Sequence, residues 1–203
     1  MSVIDTAKAL RGHYKAAGGR SVEKELTALD KHCRDFISLS PFLVIGSSSD
    51  SGPADVSPRG ETPGFVQVLD DTHLAIPDRP GNNRLDTFEN ILENPNVALI
   101  FLIPGVDETL RVNGRAEIRI DADLVERFEI NGKRPATVLV VSVEAAYLHC
   151  AKALMRSNLW DPETQIERSK LPTMGRMISD QVGDTEEPES QHAMQERYRQ
   201  RLY

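Results

Sequence analysis

The clearest pattern along the chain is the alternation of apolar and polar residues over residues 109–120. Successive side chains of a β-strand point to opposite faces of its sheet, so a period of two residues predicts a strand with one buried face. We expect the apolar face to be buried and the charged face to be exposed, with Leu110, Val112, Ala116, Ile118 and Ile120 on the first and Arg111, Asn113, Arg115, Glu117 and Arg119 on the second.

Six further segments have the composition of strands and are separated by turn residues, namely residues 42–46, 54–59, 65–69, 72–76, 97–103 and 137–148. The segment 97–103 is continuously apolar, which predicts a strand buried on both faces. Six or seven antiparallel strands with few helices favour a closed barrel, since closure removes exposed strand edges.

The two ends of the chain read as helical. Ser21 is a candidate N-cap for a helix from Val22 to about Ser38, and Ser40 followed by Pro41 predicts its end. Beyond residue 150, residues 152–160, 171–180 and 191–203 predict short helices. The expected organisation is one domain, residues 1–203, with N-terminal helices at 1–40, a barrel at 41–150 and a C-terminal helical extension at 151–203.

Composition restricts the possible partners. With 203 residues, 39% of them hydrophobic and 27% charged, the chain has the composition of an ordinary globular protein. The net charge of −7 argues against nucleic acid or an anionic membrane surface as the main partner. The longest apolar run, residues 97–104, is far below the ~20 residues that span a bilayer, and residues 1–10 lack a signal-like apolar stretch. We therefore expect a cytoplasmic protein.

The sequence lacks the common motifs of metal sites, hydrolases and nucleotide-binding folds. No H-E-x-x-H, G-x-S-x-G, P-loop or G-x-G-x-x-G pattern occurs, and carboxylates are not clustered at the spacing of metal ligands. Cys33 and Cys150 lack C-x-x-C spacing and are expected to be free thiols. The sequence thus predicts no metal site and identifies no catalytic residue.

Residues 75–84, with the sequence Ala-Ile-Pro-Asp-Arg-Pro-Gly-Asn-Asn-Arg, form the strongest candidate binding segment. They connect a predicted strand to a predicted helix at about 85–93. The first N–H groups of a helix lack internal partners and carry the positive end of its dipole, so they stabilise a phosphate. Arg79 and Arg84 would add charge-assisted hydrogen bonds. The alternative is that Asn82 or Asn83 only caps the helix and that the arginines are solvated.

A second candidate segment lies on the predicted strand 54–59. Pro58 cannot donate to a strand ladder, which places this strand at a sheet edge or a bulge. Backbone atoms beside Ser57, Pro58 and Arg59 would then be free to face a ligand. A plain edge strand with an exposed arginine is the alternative interpretation.

Residues 42–147 resemble the pyridoxamine 5′-phosphate oxidase-like family of flavin-binding split barrels. The resemblance lies in the order and spacing of several segments, namely Asp55-Val-Ser-Pro-Arg-Gly60, His73-Leu-Ala-Ile-Pro77, Asn82-Asn-Arg84, Glu93-Asn-Pro95, Val97 to Ile103 and Leu110-Arg-Val-Asn-Gly-Arg-Ala-Glu117. It implies a mainly β fold, an antiparallel six- or seven-stranded split β-barrel with flanking helices, and FMN as the cofactor.

The resemblance also implies roles for particular residues. The phosphate of FMN would be bound by Arg79, Asn82, Asn83 and Arg84, and the flavin would be lined by Ser57, Pro58, Arg59, Ile76 and Pro77. Thr109 or Arg111, on the next long strand, would touch the ring or the phosphate from the other side. The alternative for Arg111 is a solvated residue on the polar face of its strand. Pyridoxamine phosphate oxidases carry an Arg-Lys pair where this chain has Asn83 and Arg84, and Arg79 is the candidate to restore the missing charge. A homodimer with the flavin near its interface is implied as well, in which Lys152, Arg156 and Trp160 could close the site.

The function expected from the resemblance is that of an FMN-dependent oxidoreductase using a small-molecule substrate and an electron donor. Synthesis of pyridoxal phosphate is not expected, because the final residues Arg199-Gln-Arg-Leu-Tyr203 lack the Arg-x-His motif of those oxidases. The alternative is a non-catalytic protein that binds a flavin, a deazaflavin or a haem on the same barrel, with His149 or His192 as the candidate haem ligand.

Overall fold

The computed structural model describes residues 3–203, so the first two residues of the predicted N-terminal helical segment lie outside the described part of the chain. Seven strands form one antiparallel sheet in the order β2-β1-β5-β6-β7-β4-β3. The strands are β1 (Phe42–Ser48), β2 (Ala54–Gly60), β3 (Gln67–Val68), β4 (His73–Pro77), β5 (Asn96–Leu102), β6 (Thr109–Arg119) and β7 (Val138–His149). The helices are α1 (Ala7–Gly12), α2 (Arg20–Glu23), α3 (Lys31–Leu39), α4 (Asp86–Glu93), α5 (Ala122–Glu126), α6 (Lys152–Ser157), α7 (Met174–Val182) and α8 (Gln191–Arg199).

This is the mainly β, seven-stranded split barrel with flanking helices that the sequence predicts, but its hydrogen-bonded ladder is not closed. β2 and β3 form the two edges of the sheet, so the expectation of full closure is wrong. Pro58 lies in β2 opposite Val44, and its missing N–H fits the edge position that the sequence predicts. β2 contributes no residue to the buried clusters, and its side chains alternate between exposed and half-buried. One side of β2 is therefore free to line a cleft.

β6 is the long alternating strand expected from the sequence. Leu110 and Val112 are fully buried and Ala116 is nearly so, whereas Ile120 follows the end of the strand and is 77% exposed, contrary to the predicted pattern. The pairing with β7 shifts register between Asn113 and Gly114. A Cβ atom at Gly114 would lie 2.1 Å from a main-chain oxygen of β7, so only glycine permits this close approach.

β5 corrects a second expectation. Val97, Leu99 and Phe101 are buried, whereas Ala98 is exposed and Ile100 is half-buried, so the strand is buried on one face and not on both. None of the described residues of this chain fully covers the second face of β5. A continuous apolar run thus belongs to a strand with an uncovered apolar face.

The predicted helix from Val22 to Ser38 is also wrong, because the chain leaves the helical path between α2 and α3. Leu26 exchanges two backbone hydrogen bonds with Ala146 of β7, at 3.0 and 2.8 Å. α3 then begins after Asp30, whose Oδ1 accepts a hydrogen bond from the Cys33 N–H at 2.8 Å. Pairing with the sheet outweighs the helical periodicity of this segment. The helix ends before Ser40 as predicted.

The main core lies between α3, α4 and the inner faces of all strands except the edge strands β2 and β3. Phe101, Leu43 and Leu110 are completely buried, and each such side chain contributes roughly 1.5–3 kcal/mol by leaving water. A smaller cluster packs beneath α5 and consists of Ala75, Leu124, Phe128, Val138 and Val140. This core holds β1, β4 and α4 as a rigid support for the segments described next.

The C-terminal extension is helical, as expected. α7 and α8 pack against each other, and the Trp160 Nε1–H donates a 2.9 Å hydrogen bond to the Val106 carbonyl oxygen. Within residues 3–203, no helix combines the length and apolar character needed to cross a membrane.

Candidate functional site

A cleft of about 820 Å³ lies beside the free side of β2. Phe65 and three segments line it, namely β2 with the residue that follows it (55–61), the end of β4 through the first residues of α4 (77–88), and Arg134 with Ala136 just before β7. Its volume falls in the range of small-molecule sites, ~300–1,000 Å³. The two segments singled out in the sequence therefore meet at one cleft.

Eight of the ten predicted cofactor residues line this cleft, namely Ser57, Pro58, Arg59, Pro77, Arg79, Asn82, Asn83 and Arg84. The other two lie elsewhere. Ile76 is 1% exposed in the main core, and Arg111 lies on β6. Whether any of the ten touches a cofactor stays a prediction.

One end of the cleft is the start of α4. Leu85 is the N-cap residue, with a left-handed φ of 61°, and no side chain within residues 3–203 caps the first turn of the helix. The alternative in which Asn82 or Asn83 caps the helix is therefore wrong. Instead, the Asn82 Oδ1 accepts a 3.1 Å hydrogen bond from the Arg84 N–H. Because the first helical residues themselves line the cleft, their N–H groups are available to an anion there.

Arg84 lies at this end of the cleft and is paired only with a surface carboxylate. Its Nε and Nη2 donate to Asp86 at 2.7 and 3.3 Å, and 70% of the Arg84 side chain is exposed. The hydrogen bond from Arg84 to Asp86 raises the pKa of Arg84, which is in any case always protonated. Exposed ion pairs contribute little to stability, so an incoming anion can compete with Asp86.

The opposite end contains a buried ion pair. The Arg79 Nε and Nη2 donate to the two carboxylate oxygens of Glu61 at 2.6 and 3.2 Å. Only 17% of the Arg79 side chain and 5% of the Glu61 side chain are exposed. The Arg79 guanidinium also lies 5.7 Å from the centre of the Tyr203 ring. The pair with Glu61 leaves the Arg79 Nη1 without a hydrogen bond among residues 3–203, so Arg79 supports the cleft through Glu61 and keeps donors for a further group.

A second ion pair, between Arg59 and Asp78, lies between the two ends. The Arg59 Nη1 donates to the Asp78 Oδ1 at 3.1 Å, and 19% of each side chain is exposed. The guanidinium lies 5.5 Å from the centre of the Phe88 ring. Burial raises the pKa of the Asp78 carboxyl, against the opposing effect of Arg59. The Arg59 Nε is buried and has no hydrogen-bond partner among residues 3–203.

The cleft as a whole carries no net formal charge. Four arginines line it, at positions 59, 79, 84 and 134, together with four carboxylates, Asp55, Glu61, Asp78 and Asp86. Arg134 is paired with Glu126 and Glu129 outside the cleft. The carboxylates and Arg134 were missed from the sequence, because no local pattern marks them. Of the four arginines, Arg84 has the most exposed side chain.

Arg111 belongs to a separate cluster on β6 and β7. Its guanidinium lies 5.1 Å from the centre of the Tyr147 ring, and the Lys24 Nζ lies 5.8 Å from the same ring. No carboxylate within the described part of the chain pairs with Arg111 or Lys24. The cluster lies near the uncovered face of β5, since Arg111 is paired with Ile100 in the ladder.

Other predicted candidates lie away from the cleft. His149 and His192 are exposed and do not line it, and Lys152 and Arg156 are exposed on α6. Over residues 3–203, no three histidine, cysteine or acidic side chains are grouped so that they could hold a metal ion.

Comparison with known proteins gives one match that spans most of the fold. A sequence model of the family described as "Pyridoxamine 5′-phosphate oxidase" matches residues 29–150. No match is found among curated proteins.

Solved structures with the same general arrangement share little sequence with the chain. HupZ from Group A Streptococcus is 16% identical, covers 59% of this chain and 92% of its own, and has a TM-score of 0.47. A candidate pyridoxamine 5′-phosphate oxidase from Lactobacillus delbrueckii is 22% identical, with coverage of 61% and 98% and a TM-score of 0.48. An FMN-binding protein from Syntrophomonas wolfei is 13% identical, with coverage of 58% and 83% and a TM-score of 0.45.

Proposed function

Because this chain belongs to the pyridoxamine 5′-phosphate oxidase family, we propose that the cleft beside β2 binds FMN and that the protein is an FMN-dependent oxidoreductase. Its substrate would be a small molecule. One observation carries the proposal: the uncapped start of α4 and the weakly paired Arg84 line the same cleft as the edge strand β2.

The α4 end of the cleft fits a phosphate group. The first N–H groups of the helix and the guanidinium of Arg84 supply donors, and both favour negative charge. Asn82 fixes the backbone at Arg84, and Asn83 lies between them with a left-handed φ of 58°. Asn82, Asn83 and Arg84 would hold the phosphate, while Arg79 supports the cleft through Glu61.

The middle of the cleft fits the ring system. Pro58, Phe65 and Phe88 give it apolar surface, and Ser57 and Arg59 supply polar groups along the free edge of β2. The chemistry that FMN supplies when bound is transfer of a hydride or of single electrons. No histidine, cysteine, lysine or tyrosine is among the residues found to line the cleft. Of the four carboxylates that line it, Glu61, Asp78 and Asp86 are paired with arginines, so we expect the residues of this chain mainly to bind and orient the reactants.

A homodimer with the flavin near its interface is part of the proposal. Three features support it: the apolar face of β5 is uncovered, Arg111 has no carboxylate partner among residues 3–203, and the cleft is open along β2. In such a dimer, Arg111 of one subunit would reach the flavin bound by the other. Lys152, Arg156 and Trp160 would then be candidates to close the site from the C-terminal extension.

The first experiment is an absorption spectrum of the purified protein, followed by mass spectrometry of any cofactor released by heat. Flavin bands together with the mass of FMN are expected. Affinities of Arg84→Ala for FMN and for riboflavin, which lacks the phosphate, then test the site. We expect Arg84→Ala to weaken FMN binding by about tenfold, the scale of one hydrogen bond to a charged group, and to leave riboflavin unchanged.

The matched control is Arg176→Ala, which removes an exposed arginine paired with Asp180 on α7, away from the cleft. A colourless protein that also fails to bind added FMN would overturn the cofactor assignment. If Arg84→Ala weakened FMN and riboflavin equally, the phosphate would not lie at α4.

The alternative function is that of a non-catalytic flavin, deazaflavin or haem-binding protein. Three of the four carboxylates that line the cleft, Glu61, Asp78 and Asp86, are paired with arginines, which favours a binding protein as the second candidate. Reduction of the bound flavin by NADH or NADPH, followed by reoxidation in air at a useful rate, would separate the enzyme from the binding protein. A Soret band would instead indicate haem, in which case His149 and His192 would be the residues to replace.

A further inference from the structure

The Arg59–Asp78 ion pair lies between the two ends of the cleft and differs in chemical character from the α4 end. At the α4 end, Arg84 is exposed and weakly paired. The Arg59 guanidinium lies 5.5 Å from the centre of the Phe88 ring, so the Arg59–Asp78 pair lies in the middle of the cleft, beside the apolar surface proposed for the flavin ring.

The Arg59–Asp78 pair leaves an acceptor and donors unused next to each other. Only the Asp78 Oδ1 accepts a hydrogen bond from the described residues, and only the Arg59 Nη1 donates one. The pair is held in place, since the Asp78 N–H donates a 3.0 Å hydrogen bond to the Thr137 carbonyl oxygen and the guanidinium packs over Phe88. A part of each charged group stays exposed where both line the cleft.

This arrangement selects against a second anion. The charge of Arg59 is compensated by Asp78, so a phosphate placed here would be repelled by the adjacent carboxylate. A neutral group that donates one hydrogen bond and accepts another fits both partners at once. Hydrogen bonds to the two charged groups would be stronger than those between neutral groups.

We infer that the Arg59–Asp78 pair recognises the imide edge of the flavin ring, with the Asp78 carboxylate accepting the N3–H and Arg59 donating to a neighbouring carbonyl oxygen. This inference rests on the proposed function and makes Asp78 a specificity-determining residue, which the sequence does not indicate. The burial that raises the pKa of Asp78 also strengthens a hydrogen bond that its carboxylate accepts, since water competes less.

The test compares the dissociation constants of FMN and N3-methyl-FMN, in which a methyl group replaces the imide hydrogen. They are measured for the wild-type protein, for Asp78→Ala and for Asp86→Ala, which removes a carboxylate from the α4 end of the cleft. The wild type is expected to bind FMN about tenfold or more tightly than N3-methyl-FMN. Asp78→Ala should bring this ratio close to one, and Asp86→Ala should leave it as in the wild type.

The possible results separate the inference from the function on which it rests. A wild-type protein that binds both flavins equally well overturns the role of Asp78 while FMN binding stands, and this comparison needs no variant to fold. If Asp78→Ala still preferred FMN to N3-methyl-FMN as strongly as the wild type does, the role of Asp78 would also be overturned, because other atoms would then reject the methyl group. A wild-type protein that binds neither flavin overturns the proposed function itself.

Discussion

Replacing Arg79 by methionine tests whether this arginine supports the cleft or binds the phosphate. Glu61 has 5% of its side chain exposed and receives two hydrogen bonds from Arg79. Arg79→Met would leave this carboxylate buried without a partner, which costs ~3–5 kcal/mol of the free energy of unfolding. For a chain of about this size each kcal/mol lowers Tm by about 2–4 °C, so we expect Tm to fall by roughly 6–20 °C.

The double variant Arg79→Met/Glu61→Leu provides the internal control. Replacing both members of a buried pair by apolar residues removes the unpaired charge, so its stability should return to within ~1 kcal/mol of the wild type. Urea unfolding gives the free energies, and isothermal titration of FMN and riboflavin gives the phosphate contribution for each folded protein.

Two results would refute this reasoning. One is an Arg79→Met protein that is as stable as the wild type but no longer distinguishes FMN from riboflavin, since Arg79 would then bind the phosphate as the sequence predicts. The other is a double variant no more stable than Arg79→Met, because the loss would then not come from an unpaired Glu61.

Three further predictions concern other parts of the fold. Asp86→Ala should tighten FMN binding and leave riboflavin unchanged in calorimetric titrations, because it removes the carboxylate that competes for Arg84. Gly114→Ala should lower the free energy of unfolding in urea by at least ~1–3 kcal/mol, because its Cβ would meet backbone at 2.1 Å. The Thr72 N–H and then His73 lower the pKa of Asp70 from 3.8 to about 2. Ionised Asp70 therefore stabilises the fold above pH ~3.8, and this contribution is lost as the pH falls through about 2. Over this acidic range, the Tm of Asp70→Asn should fall less steeply with decreasing pH than the Tm of the wild type.

Gly114→Ala and Asp70→Asn each have a control that leaves the relevant contact intact. Gly12→Ala adds a Cβ where no atom lies within 4 Å, so a loss as large as that of Gly114→Ala would contradict the steric argument. Asp50→Asn removes an exposed carboxylate from the β1–β2 loop, and its Tm should follow the wild-type pH dependence. If Tm depended equally on pH in Asp70→Asn and in the wild type, the stability of the fold would not depend on the ionised form of Asp70. Asp86→Ala with unchanged FMN affinity would place the phosphate away from Arg84.

The strands and the edge position of β2 are determined by the sequence itself. The alternation over 109–119 and the proline at position 58 act through neighbouring residues and through the backbone of one strand, so local sequence is sufficient to predict them. The junction of Ser40 and Pro41 ends α3 for the same reason. The candidate segments 57–59 and 75–84 were predicted from local turn and helix-start chemistry, and residues 57–59 and 77–84 line one cleft.

Tertiary structure decides what the charged residues of those segments do. Arg79 meets Glu61 and Arg59 meets Asp78 across 18 and 19 residues of chain, because the fold lays the loop after β4 beside β2. Leu26 leaves a helical pattern because β7 offers it two hydrogen bonds. Propensity and charge are properties of single residues, whereas pairing and burial depend on which segments the fold places together. For this reason the sequence alone predicts the location of the cleft but not its neutral charge or the position of its weakly paired arginine.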